Sequence, residues 1–185
     1  MKRTHFLLIA AISSLPLVAQ AQDKLGSRDG EVTFFSTAPL EDITAENHKV
    51  ASVFVPSTGA IEFSVLIKAF EFEKALMQEH FNENYLESNT FPKALFKGRV
   101  VAKNGDDISR PGVHAVVVEG DLTIHGVSRP LSTNATLEVG GDGKVKATCT
   151  FDVKPEDHGI SVPSVVRDKI AKTVKVSVII PYTRL

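Results

Sequence analysis

The sequence predicts an all-β fold: a single antiparallel β-barrel of about eight strands with one or two short helices. Three observations predict it. Apolar and polar residues alternate with period two through stretch after stretch of the chain, as half-buried strands require. Short polar turns join those stretches, which favours antiparallel neighbours. The polar face carries charge at Glu62, Lys97, Arg99, Asp121, Lys144, Lys146 and Lys175, so the outside is wet and the apolar surface turns inward. A membrane-spanning barrel has the opposite arrangement.

The first residues stand apart from this pattern. Lys2 and Arg3 form a basic start, Phe6 to Ile12 an apolar core extended by Leu15 to Val18, and Ala19-Gln20-Ala21 a small-residue cleavage box. That is the layout of a secretory signal peptide over residues 1–21. Ser13, Ser14 and Pro16 interrupt the apolar run, which is shorter than the ~20 residues a membrane span needs. Cleavage after Ala21 leaves residues 22–185 as one domain, soluble and either periplasmic or secreted.

Two short strand candidates follow at Glu31 to Ser36 and Lys49 to Val55. From Ile61 the alternation becomes clear, with Ile61, Phe63, Val65 and Ile67 on one face and Glu62, Ser64, Leu66 and Lys68 on the other. Phe70 and Phe72 are spaced for an extended segment. Lys74 to Asn82 then places Met77 and Phe81 four residues apart, the spacing of a short amphipathic helix.

The strand rhythm resumes with Ala94, Phe96, Gly98 and Val100 inward, then Val116, Val118, Gly120, Leu122 and Ile124. Thr123-Ile124-His125-Gly126 reads as a tight turn, in which His125 bonds backbone groups beside a glycine. Val127 to Val139 carries Leu131, Thr133, Ala135 and Leu137 inward. After the hairpin turn Gly140 to Gly143 come Val145, Ala147, Cys149, Phe151 and Val153. Ser161 to Lys172 predicts a second short helix, opened by Pro163 with Val165, Val166 and Ile170 on its buried side. Val174, Val176, Val178 and Ile180 close the pattern.

Composition narrows the function classes. The chain has 185 residues, 43% hydrophobic and 23% charged, with a formal net charge of −1. Loss of Lys2 and Arg3 with the leader makes it mildly acidic, against a nucleic-acid surface. A single cysteine allows no internal disulfide; its alternation with Ala147 and Phe151 makes Cys149 a small inward hydrophobe. The histidines His48, His80, His114, His125 and His158 share no metal-ligand spacing. Glu71 with Glu73, and Glu119 with Asp121, sit on outward faces, where solvated surface is the default over acid–base chemistry.

An interior of Phe, Val, Ile and Leu with few polar groups is what an apolar ligand needs, because its driving force is area removed from water. A barrel filled by its own side chains has the same inward face, and both readings stand on composition alone. A third reading, an enzyme acting on a bound lipid or quinone, needs inward polar groups, of which Thr133 and Tyr182 are the candidates.

Two stretches resemble the YceI-like polyisoprenoid-binding family. One is Leu76-Met77-x-x-His80-Phe81-Asn82-Glu83-x-Tyr85-Leu86-Glu87-Ser88-x-x-Phe91-Pro92-x-Ala94-x-Phe96-x-Gly98, similar to the family's helix, link and following strand. The other is Gly120-Asp121-Leu122-Thr123-Ile124-His125-Gly126-Val127-Ser128-Arg129-Pro130, similar to its hairpin. The similarity runs from about Glu31 to Tyr182. It departs from longer members between Ala38 and Lys49 and at Ala69-Phe70-Glu71-Phe72.

The resemblance implies an extended lipocalin-like barrel that holds a long isoprenoid or other lipid chain, with no catalytic residue. It implies no cofactor or metal beyond a bound polyprenyl lipid or quinone, and leaves room for a homodimer. The residues expected against an apolar tail are Phe63, Val65 and Ile67; Phe70, Phe72, Met77 and Phe81; and Phe96, Val118, Leu122, Val176 and Val178. Asn82, Tyr85 and His125 match motif positions with structural roles.

Overall fold

A computed structural model describes residues 24–163 and 170–185. Nine strands form one antiparallel sheet: β1 (Leu25–Thr37), β2 (Asp42–Val55), β3 (Ala60–Leu66), β4 (Glu71–Phe72), β5 (Lys93–Ala102), β6 (Gly112–Ile124), β7 (Val127–Val139), β8 (Val145–Val153) and β9 (Val174–Arg184). Their order is β1-β9-β8-β7-β6-β5-β3-β2-β4, and β1 also pairs with β2. That pairing closes eight strands into a barrel and leaves two-residue β4 as a flap beside β2 at Ala45 and Glu46. Closure removes the exposed edges that an open sheet of this size would present.

The meander β5-β6-β7-β8-β9 follows the predicted alternation closely. β6 and β7 pair without a break from Gly112↔Val139 to Ile124↔Val127, so a single register keeps every inward residue inward. The first two strands are much longer than the short candidates at Glu31 to Ser36 and Lys49 to Val55. β1 begins in Leu25-Gly26-Ser27-Arg28-Asp29-Gly30, where glycines and charges mask the pattern, and its registers to β2 and β9 shift there. In β2 the buried side changes from Ala45 and Asn47 to Val50, Ser52 and Phe54. The switch is a bulge: Gly30 faces Val50 while Val32 faces Asn47, and Asn47 Oδ1 accepts from the Lys49 amide at 2.8 Å.

The connection from β3 to β5 forms the lid of one end. Ile67, expected in a strand, instead opens a 3-10 turn over Ile67–Ala69. Helix α1 (Ala75–His80) falls where helical spacing predicts it and runs into a wider π-type turn over Phe81–Tyr85. No α1 residue is fully buried, so this helix is held through its partly buried face and its flanks. The helix expected over Ser161 to Lys172 has its centre, 164–169, outside the described residues. So does the predicted leader, 1–21. No helix among the described residues is long and apolar enough to cross a membrane.

The two ends of the barrel differ. At the end bearing the β2–β3, β5–β6 and β7–β8 turns, Leu25, Phe54, Val116, Val145 and Tyr182 are buried against one another. At the other end, under α1 and Pro155, Ile160, Val162 and Ile170 of the β8–β9 connection, the interior is hollow.

Candidate functional site

Side chains fill one end of the barrel and leave a cavity of about 560 Å³ at the other. All the residues expected against an apolar tail line it. Phe63 and Val65 on β3, Phe96 on β5, Val118 and Leu122 on β6, and Val176 and Val178 on β9 form its wall. Ile67, Phe70, Phe72, Met77 and Phe81 form its roof. The alternation predicted the wall because a closed barrel has only one inside, and every second residue must face it.

The roof is a cluster of rings. Phe34 of β1 stacks on Phe81 at 5.5 Å between centroids and meets Phe70 at 5.4 Å and Phe72 at 5.7 Å. Phe81 in turn lies 5.0 Å from Phe72 and 5.5 Å from Phe70. The helix and β4 are therefore anchored to β1 by aromatic contact. Sequence reasoning missed Phe34, Val32 and Ile43, which also line the cavity. The adjacent pair Phe34-Phe35 hides which of the two faces in, and Ile43 lies in a stretch with no clear alternation.

Glycines shape the wall at one point. Gly98 and Gly120 face each other across β5 and β6. A Cβ on Gly98 would strike the Glu119 carbonyl and come within 2.7 Å of the Phe96 ring, and one on Gly120 would lie 2.5 Å from Gly98 Cα. The missing side chains let the two strands coil tightly and let Phe96 fold along the wall.

Polar groups gather at the mouth. Ser36 and Glu41 from the β1–β2 end, and Lys74 and His80 from the helical segment, reach the cavity rim. Lys74 Nζ donates to Glu41 Oε1 at 2.7 Å, tying the start of α1 to the β1–β2 turn. The hydrogen bond to the Glu41 carboxylate, and then its charge, raise the Lys74 pKa. Buried Ser36 accepts from the Ala171 amide at 3.0 Å, which pins the β8–β9 connection to β1.

Deeper in, polar groups are few. Thr133 lines the wall, but its hydroxyl donates to the Thr150 carbonyl at 3.1 Å. Cys149 lines it too, and burial pushes its thiol up to about 11, so it stays protonated at neutral pH and is a poor nucleophile. Tyr182 does not line the cavity; it is 1% exposed beneath the floor and bonded to Ser52 at 2.6 Å. The carboxylate pairs are outward as expected: Glu71, Glu73 and Asp121 are exposed, and Glu119 accepts from Arg99 Nη2 at 2.7 Å. His125 lies in the expected tight turn between β6 and β7, but its side-chain partner differs from expectation. Its Nε2 meets Glu87 Oε2 at 3.1 Å rather than a backbone group, and its ring stands edge-on to Phe91 at 4.5 Å. Among the described residues no group of three or more His, Cys, Asp or Glu side chains is placed to hold a metal ion.

An eight-stranded antiparallel barrel, plugged at one end and hollow and apolar at the other, defines a lipocalin-like barrel protein. The chain belongs to the YceI-like family, whose domain profile matches residues 17–181, beginning inside the predicted leader. A UPF0312 protein of Photorhabdus laumondii is 29% identical over 90 residues, a match spanning 48% of this chain and 42% of that protein's length.

Solved structures share the fold at low identity. A polyisoprenoid binding domain from Saccharophagus degradans, implicated in plant cell wall breakdown, superposes with a TM-score of 0.74 at 12% identity over 89% of this chain and 99% of that one. BcnA of Burkholderia cenocepacia gives 0.70 at 16% identity, over 83% and 96%. A YceI protein of Campylobacter jejuni gives 0.54 at 15% identity, over 98% and 94%.

Proposed function

We propose that this protein is a periplasmic or secreted carrier that holds one isoprenoid or other long lipid chain in its barrel, with the polar end of the ligand at the mouth. The observation that carries the reading is the apolar cavity of about 560 Å³ beneath the aromatic roof. An interior packed like other protein cores leaves few voids larger than a water molecule; this one has room for a ligand. Burying about 500 Å² of apolar ligand surface supplies roughly 12 kcal/mol before ordering costs. Affinity of that origin needs no catalytic group, and the deep hydroxyl of Thr133 is already committed. The polyisoprenoid-binding description of the Saccharophagus degradans neighbour points to the same ligand class. The leader-like residues 1–21 support export.

The deciding experiment is mass spectrometry of an organic extract from protein purified from its native source. A stoichiometric prenyl or acyl lipid, lost in folded Val118→Asp or Phe96→Asp, is the expected result. Folded variants that retain the same lipid, or a native protein that carries none, would overturn the reading.

A further inference from the structure

On β7, β8 and β9 the cavity stops at one level. On β9 the inward row lines it through Ile180, whereas Tyr182 does not; on β8 Ala147 lines it and Val145 does not; on β7 Leu137 lines it and Val139 does not. Ala147 pairs with both Leu137 and Ile180, and Val145 with both Val139 and Tyr182. Lining therefore gives way to plug at the same rung on three neighbouring strands.

The plug below that rung is rigid in its chemistry as well as its packing. Phe54 and Tyr182 are each 1% exposed, with rings 5.9 Å apart. The Ser52 hydroxyl donates to the Glu62 carbonyl at 2.9 Å. Its one proton thus used, Ser52 Oγ accepts from the Tyr182 hydroxyl at 2.6 Å. A chain tip pushing past Ile180 would have to break a buried hydrogen bond and displace two aromatic rings.

We infer that this floor is a chain-length ruler, an inference that rests on the carrier reading above. A water takes about 30 Å³ of liquid volume and a methylene much the same, so the cavity accepts about twenty carbons, roughly four isoprene units. Carbons beyond that number remain outside the mouth and gain nothing from burial. Each methylene that does enter tightens binding about fourfold.

The test is displacement of bound cis-parinaric acid from the purified protein by geraniol, farnesol, geranylgeraniol and geranylfarnesol, each one isoprene unit longer than the last. Affinity rises at least tenfold per step up to geranylgeraniol, then changes less than about threefold at geranylfarnesol. Ala147→Leu, which fills space at the floor, shifts the plateau to a shorter alcohol, and Ile180→Ala shifts it to a longer one. A geranylfarnesol affinity tenfold or more above that of geranylgeraniol overturns the ruler and leaves the carrier reading intact. So do folded floor variants with an unmoved plateau; if neither variant folds, the wild-type series decides alone. No saturable binding of any of the four overturns both.

Discussion

Glu87 and His125 face each other with both backbones in the left-handed region, at φ 42° and 51°, and with Oε2 and Nε2 3.1 Å apart. This pair fastens the link after the roof helix to the β6–β7 turn. The two residues come from the two stretches of sequence that carry the family resemblance, so those motifs form one joint. Left-handed non-glycine residues persist only where surroundings hold them, and here the side-chain pair and Phe91 do so.

Loss of the joint should be measurable in the thermal midpoint. His125→Ala gives up the contact with Glu87 and the edge-on packing against Phe91, for about 1–2 kcal/mol. Gly126→Ala does at least as much harm: at φ 73° its Cβ would sit 2.6 Å from the Phe91 ring, a cost of about 1–3 kcal/mol. Equal stability of Gly126→Ala and wild type would contradict both the backbone strain and the Phe91 contact.

The floor hydrogen bond makes an asymmetric prediction. Tyr182→Phe removes the donor, leaves Ser52 bonded to the Glu62 carbonyl, and costs about 1 kcal/mol. Ser52→Ala strands the buried tyrosine hydroxyl, and costs about 2 kcal/mol. Urea denaturation of both variants checks the order, and the reverse ranking would contradict the assigned donor direction.

Phe34 joins β1 to three other rings, so its truncation should release the roof. Phe34→Ala is expected to cost about 3 kcal/mol. Its amide hydrogen exchange should quicken over residues 75–86 more than in β6 or β7. Phe81→Ala should reproduce that local pattern, because the same stack is lost from the other side.

Cys149 offers a titration. Its folded pKa of about 11 lies above the ordinary 9.0, so the folded state holds the proton more tightly than the unfolded one. The associated stability is complete below pH 9 and is lost as pH rises to 11, by up to about 3 kcal/mol. Cys149→Ala should lack this loss. At pH 8 the native thiol should react with iodoacetamide about a hundredfold more slowly than an unhindered thiol, in proportion to its smaller thiolate fraction. A rate equal to that of the unfolded chain would show that the thiol is not buried in the wall.

How much was legible in the sequence depended on where each residue's partner lies. Period-two alternation from Ile61 to Ile180 fixed the meander and its inward rows because strand faces are a local property. The cavity wall at Phe63, Phe96, Val118, Leu122, Val176 and Val178 follows from those rows. Met77 and Phe81 were readable from helical spacing in the same way. Local pattern failed in β1 and β2, where glycines, a bulge and buried polar residues interrupt it. Asn47 is fully buried and donates to the Leu66 carbonyl, nineteen positions away, and Ser52 meets Tyr182 from the far end of the chain. No sequence window contains both members of such a pair.

The sequence by itself thus determined strands β3 and β5 to β9, their inward faces and the apolar character of the interior. The tertiary structure decided three further things: that β1 closes on β2, that the interior is plugged below Ile180 and open above it, and that Phe34, Lys74–Glu41 and Glu87–His125 hold the roof. Alternation states which way a side chain points, but space is left or filled by all eight strands together, and only closure brings their contributions to one level.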